Sequence, residues 1–126
     1  MKVPFVDLKT QYANLKPEID KAIFDVIENS LFIGGEVVKD FEDAFANLYG
    51  VKNCISTANG TDSLYIVMKM LEIGRGDEVI TVANSWISSS ETISQTGAKP
   101  VFVDIHPDFY SIDEKKLESV ITQNTK

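Results

Sequence analysis

Two stretches of the chain gather residues that could do chemistry. The first is Ser56-Thr57-Ala58-Asn59-Gly60-Thr61-Asp62-Ser63. Hydroxyls, an amide and a glycine lie together where an apolar run gives way to a helical pattern. Gly60 would let a ligand approach the backbone closely. The first N–H groups of the helix, with the hydroxyls of Thr61 and Ser63, suit a phosphate. The same residues would equally serve to make the turn, with Asn59 and Thr61 capping the helix. The stretch lacks the Gly-Lys-Ser/Thr of a P-loop and the spacing of a dinucleotide fingerprint. The second stretch is Ala83-Asn84-Ser85-Trp86-Ile87-Ser88-Ser89-Ser90, which holds the single tryptophan. An indole here could stack on a flat ring or pack into a core, where large aromatics usually lie; the polar Asn84-Ser85 before Trp86 and the three serines after it weaken the core reading. A phosphate cradle at Gly60 and Thr61 and a ring platform at Trp86 together point to a phosphorylated aromatic cofactor.

Other candidates carry less. His106 has no second His or Cys nearby to share a metal and reads as a turn residue, so no metal site is expected. Cys54 reads as a core residue within a strand, and Asp104 as the end of a strand. Glu36 and Asp40 form a solvated helix face.

Elements must position these groups. Val3 to Leu8 reads as extended. Pro17 reads as the first position of a helix that runs to about Asn29, with Ile19, Ile23, Phe24, Val26 and Ile27 at helical spacing. Gly34-Gly35 interrupts the chain. A second helix follows, with Val37, Val38, Phe41, Ala44, Phe45 and Leu48 on one face, and with Lys39, Asp40, Glu42 and Asp43 on the other; Gly50 would stop it. Beyond Gly50 strands and helices alternate. Strands are expected at 53–57, 78–82 and 100–105. Helices are expected at 62–73 (Leu64, Val67, Met68 and Leu71 inward), at 86–96 up to Gly97, and after a capping box at Ser111-Ile112-Asp113-Glu114. This order predicts an α/β fold, a mostly parallel sheet covered by helices. Both polar stretches then fall at the C-terminal ends of strands, where open α/β sheets bind ligands.

The 126 residues are 44% hydrophobic and 25% charged, the composition of a globular protein rather than a disordered or collagenous one. The net charge of −7 is spread along the chain, and only one arginine, Arg75, is present. With no basic stripe, nucleic acid is not an expected partner. No apolar run approaches a membrane span. One cysteine and an N-terminus without an apolar leader core predict a cytoplasmic protein. Three strands make a thin sheet with unpaired outer edges, which predicts that the chain is the N-terminal piece of a larger domain.

The ordered blocks Pro4-Phe5-Val6-Asp7-Leu8, Phe32-Ile33-Gly34-Gly35 with Phe41-Glu42, Gly50 to Leu64, Gly76-Asp77-Glu78-Val79-Ile80-Thr81 and Gly97 to Ile105 cover nearly the whole chain. They resemble the DegT/DnrJ/EryC1/StrS family of pyridoxal-phosphate-dependent sugar aminotransferases. The resemblance implies the N-terminal part of a fold type I transferase. Residues 1–30 would be an arm and helix, and 31–126 the first, incomplete part of the large cofactor-binding domain. It implies pyridoxal 5'-phosphate, with Gly60 and Thr61 on its phosphate and Trp86 on its ring. It also implies amino transfer, typically from glutamate, to a nucleotide-linked keto sugar, in a homodimer with active sites near the subunit interface. The segments 7–12 and 32–35 would shape the substrate side.

A pyridoxal enzyme also needs a lysine that forms a Schiff base and an acid for the pyridinium N–H. In the family both lie further along than residue 126, and no lysine here sits in a comparable block. The chain alone is therefore expected to be inactive, with no catalytic residue of its own. A different reading is a non-catalytic module of the same fold that binds a nucleotide sugar or mediates dimerisation.

Overall fold

Helix α1 (Leu8–Glu28) begins where Asp7 caps it: Oδ1 accepts the Thr10 N–H at 3.0 Å and Oδ2 the Thr10 hydroxyl at 2.8 Å. The helix therefore starts well before Pro17, which lies in its interior rather than at its first position. A proline there forfeits one intrahelical bond. Side chains bridge the affected turns: the Tyr12 hydroxyl donates to Asp20 at 2.5 Å, and Lys16 pairs with Asp20 and donates to Tyr12 at 2.9 Å. Helix α2 (Glu36–Tyr49) follows Gly34-Gly35 and ends at Gly50, whose φ of 65° is the left-handed cap expected there. Ala46 is its buried residue, while Phe41 and Phe45 of the expected inner face stay exposed. Glu42, assigned to the charged face, accepts the Ser56 N–H at 2.6 Å.

The protein, seen as a computed structural model, is described over residues 3–126, in two compact units: one up to Ser56, the other from Thr57 to Lys126. Met1 and Lys2, where the N-terminal leader expectation falls, lie outside the described residues. Residues 53–57 form no strand. A strand exists only as a ladder, and among the described residues none pairs with this segment. Cys54, placed in that strand and in the core, is half-buried in an irregular segment.

The second unit holds helix α3 (Gly60–Met70), strand β1 (Glu78–Val82), helix α4 (Ser88–Thr96), strand β2 (Lys99–Val103) and helix α5 (Glu114–Val120). The strands pair in parallel, from Glu78 opposite Lys99 to Val82 opposite Val103. Parallel pairing needs a crossover, and α4 supplies it. The α/β class is as expected, with two strands rather than three. Ile73, Ile93 and Ala98 form the core, with Met68 and Val79 packed on it. Leu64, Val67 and Leu71 remain substantially exposed. Gly97, at φ 91°, ends α4. Asp113 rather than Ser111 caps α5, accepting the Lys115 N–H at 3.1 Å. Ser111 is occupied elsewhere: its carbonyl accepts the His106 N–H at 2.8 Å, and the adjacent Ile105 and Ile112 form an antiparallel bridge.

The last residues join the sheet. The Glu78 N–H donates to the Asn124 carbonyl at 2.8 Å, and the Lys126 N–H to the Glu78 carbonyl at 3.0 Å. The neighbouring Asp77 carbonyl accepts from Lys99. Successive backbone groups of a strand point to opposite edges, so 124–126 lie along the edge of β1 away from β2.

Candidate functional site

The site lies in the second unit, where α3 and α4 begin. Asn59 is extended and caps α3, its Oδ1 accepting the Asp62 N–H at 2.9 Å. Its Nδ2 donates to Asp62 Oδ2 at 3.1 Å, which ties that carboxylate back to the cap. The first amides of a helix have no intrahelical acceptor. With that of Asp62 taken, those of Gly60 and Thr61 have no partner among the described residues. Both residues border a cavity of about 310 Å³ that Leu64, Trp86, Ser88 and Ser89 complete.

The structure thus brings the three sequence-predicted residues, Gly60, Thr61 and Trp86, to one cavity, although 25 positions separate Thr61 from Trp86. Trp86 is 78% exposed, so it is no core tryptophan, and it precedes α4 rather than starting it. A Cβ on Gly60 would meet nothing within 4 Å, so the missing side chain leaves space beside the helix terminus. Ser63, the other hydroxyl expected to suit a phosphate, is committed to the turn. Its Oγ lies 2.6 Å from Thr57 Oγ1 and donates to the Asn59 carbonyl at 3.2 Å. It lines an adjoining apolar cavity of about 400 Å³ with Val67, Val79, Thr81 and Ile93; Gly60, Leu64 and Ser89 border both.

Sequence reasoning noted the serines after Trp86 but assigned them no contact. Ser88 is 6% exposed, and its Oγ lies 2.7 Å from Thr61 Oγ1. Ser89 Oγ lies 3.1 Å from Ser85 Oγ. A run of serines at a strand-to-helix junction was the available signal; a pairing across 27 positions leaves no local trace.

No charged residue lines the Trp86 cavity. Its donors are neutral: two helix amides, hydroxyls and the positive end of the α3 dipole, the setting in which helix termini bind phosphate. An exposed indole beside them offers a face for a ring. The residues present therefore fit a phosphorylated aromatic group. No lysine lines either cavity of this unit. Among the described residues no cluster of His, Cys, Asp and Glu could hold a metal ion. His106 is the turn residue expected, its Nδ1 accepting the Asp108 N–H at 3.2 Å. Asp104 lies just beyond β2 and pairs with Lys116 at 2.8 Å, which holds its carboxyl below the usual range. No helix among the described residues is long and apolar enough to cross a membrane.

Comparison with known proteins agrees with this fold class. The DegT/DnrJ/EryC1/StrS aminotransferase family matches residues 13–126, and the chain belongs to that family. It is 46% identical over 124 residues to the UDP-2-acetamido-2-deoxy-3-oxo-D-glucuronate aminotransferase of Pseudomonas aeruginosa, covering 98% of this chain and 34% of that protein. It is 42% identical to the dTDP-3-amino-3,6-dideoxy-alpha-D-galactopyranose transaminase of Aneurinibacillus thermoaerophilus, with the same two coverages. Among solved structures, DesV of S. venezuelae, crystallised with a ketimine intermediate, superposes with a TM-score of 0.94 at 36% identity, over 99% of this chain and 34% of that one. NtdA of Bacillus subtilis, with bound cofactor PMP, superposes at 0.91 with 31% identity, over 99% of this chain and 29% of its own. The chain thus spans about a third of the length of the relatives it matches. Over the superposed residues this chain has the α/β fold of those aminotransferase structures.

Proposed function

We propose that the chain is the N-terminal portion of a pyridoxal-phosphate-dependent aminotransferase that moves an amino group, from glutamate, onto a nucleotide-linked keto sugar. Residues 1–30 would be an arm and helix, and 31–126 the first part of the large domain. One observation carries the reading: the free amides of Gly60 and Thr61 and the exposed face of Trp86 share one cavity. The names of the relatives support the substrate class.

Within this portion, the Gly60 and Thr61 amides and the Thr61 hydroxyl would bind the cofactor phosphate, and Trp86 would orient the ring and shield one face from water. Bound pyridoxal phosphate supplies the carbonyl carbon that exchanges an amino group between donor and acceptor. The chain alone would bind it weakly and would not transfer the amine, because no lysine lines the cavity. A second copy would associate through the first unit, where Phe32, Phe41 and Phe45 are exposed, in the cytoplasm. Light scattering at several concentrations tests this, and a monomer throughout would count against it.

The test of the main reading uses the single tryptophan. Pyridoxal phosphate should quench its fluorescence with weak, saturable affinity. Borohydride reduction should then leave only sparse, scattered label on exposed lysines by mass spectrometry. No quenching would remove the cofactor site. One stoichiometrically labelled lysine, with amino transfer to a nucleotide-linked keto sugar, would overturn the inactivity of the chain alone.

A further inference from the structure

We infer that Ser88 is a positioning residue for the phosphate end of the site, fixing the direction in which the Thr61 hydroxyl donates. The inference rests on the cofactor reading above and deepens it. Ser88 opens α4, and Thr61 lies in the first turn of α3. Their hydroxyl oxygens are 2.7 Å apart. Ser88 cannot easily turn away. It is 6% exposed, and its carbonyl accepts the hydroxyl of the fully buried Thr92 at 2.6 Å.

The direction of the bond follows from counting protons. Each hydroxyl has one proton to donate and lone pairs with which to accept. Two arrangements satisfy the pair in isolation. In one, Thr61 donates to Ser88 and turns a lone pair toward the cavity. In the other, Ser88 donates to Thr61, and the Thr61 proton is free to point into the cavity. A phosphate in the cavity brings acceptors and negative charge, so it is repelled by the first arrangement and bound by the second. The buried Ser88 hydroxyl has no other side-chain or backbone acceptor among the described residues, so donating to Thr61 also avoids an orphaned donor. Hydroxyls in series polarise one another, which strengthens the outer bond to an anion. The ordered chain runs from Ser88 to Thr61 to phosphate. Ser88 itself need not touch the ligand.

The test compares two ligands that differ only in the phosphate, pyridoxine 5'-phosphate and pyridoxine. Neither has an aldehyde to react with exposed lysines. Their affinities for the 126-residue chain are read by quenching of Trp86, for the wild type and for S88A, T61V and the double variant. The wild type should prefer the phosphorylated ligand. S88A should reduce that preference about fivefold, the scale of a weakened bond to a charged acceptor, and leave pyridoxine affinity unchanged. T61V should reduce the preference at least as much, and S88A should add nothing in the T61V background. Circular dichroism checks the fold. If S88A fails to fold, S88C keeps the shape with a much poorer donor and should lose the preference in the same way. A full preference in S88A or S88C, or multiplying effects in the double variant, overturns the role of Ser88. A wild type that does not distinguish the two ligands overturns the phosphate reading itself, which is a separable result.

Discussion

The unit up to Ser56 and the unit from Thr57 use the same local devices to very different effect. Each has helices with a side-chain cap at the start, Asp7 for α1 and Asn59 for α3. Each ends a helix on a left-handed glycine, Gly50 for α2 and Gly97 for α4. Yet burial differs sharply. Among the described residues of the first unit only Ala46 is buried, and the 21 residues of α1 bury none. Its apolar groove of about 350 Å³, lined by Ile23, Val26, Ile27, Phe32 and Val37, stays open. The second unit closes Ile73, Ile93 and Ala98 into a core and sets Ser88 and Thr92 beside it. Caps and stops decide where helices begin and end; only an opposing apolar layer turns an amphipathic face into a core.

The largest expected effect tests that contrast directly. Ile93→Ala removes a side chain that is 3% exposed and should cost about 2–4 kcal/mol. Phe41→Ala, at a position 57% exposed, should change stability by less than about 1 kcal/mol. Denaturant unfolding with hydrogen exchange read separately over α2 and over α4 measures both. Equal losses would mean that the first unit has a core as tight as the second, and the contrast would fail.

A second pair should show no contrast. Gly50→Ala and Gly97→Ala each force a side chain into left-handed backbone, at φ 65° and 91°, at a cost of about 1–2 kcal/mol. The added Cβ meets open space at Gly50 and only an ordinary 3.5 Å contact with the Arg75 amide at Gly97. Backbone strain alone should therefore set both losses. Helix content and thermal midpoint of the two variants would measure them. A much larger loss at Gly97 would show that packing around the cap, not its conformation, matters there.

These devices also mark what was legible in the sequence. Gly50 and Gly97 were readable as stops because one backbone conformation demands them. Strand β1 was placed at its observed residues, and Gly60, Thr61 and Trp86 line one cavity although no strand precedes Gly60 and Thr61. Residues 53–57 form no strand because residue types report suitability for a sheet, not the presence of a neighbour. Pro17 lies inside α1 because Asp7 already caps the helix before Leu8; a proline's usual place at a helix's first position points to a later start. The Thr61–Ser88 bond and the pairing of Glu78 with 124–126 were not legible, since each joins residues far apart in the chain.

Removing the caps should have a smaller effect. Asp7→Ala and Asn59→Ala each lose one side-chain bond to a helix amide, worth about 1 kcal/mol. Their consequences should diverge with the surrounding core. With no buried residue on α1, the loss at Asp7 should appear as local fraying, seen as faster exchange over 8–12. At Asn59 the same loss should spread through α3, which supplies Met68 to the core packing. Fraying confined to the first turn of α3 would show that its packing does not transmit the change.

The smallest effect is the response to acid. In the first unit the Thr10 amide and then the Thr10 hydroxyl hold the Asp7 carboxyl below its ordinary 3.8. In the second, Lys99 and then the Thr122 hydroxyl hold Glu78 below its ordinary 4.5. A carboxyl lowered in the folded state adds stability that is fully present above its unfolded value and is lost as pH falls through the folded one. The loss should therefore begin near pH 4.5 for Glu78 and near 3.8 for Asp7. Salt should separate the two further. Lys99 bonds Glu78 at 2.8 Å with its ammonium largely in water, so added salt screens the pair. Asp7 accepts from neutral donors and has less to lose. Glu78 also joins three segments: Lys99 of β2, Thr122 after α5, and the backbone of 124–126. Its protonation should loosen the last residues of the chain first. Exchange at the Lys126 amide, followed from neutral pH to pH 3 at low and high salt, reads this, and Glu78→Gln should remove the dependence. Acid sensitivity at Lys126 that survives in Glu78→Gln would place its origin in another carboxyl.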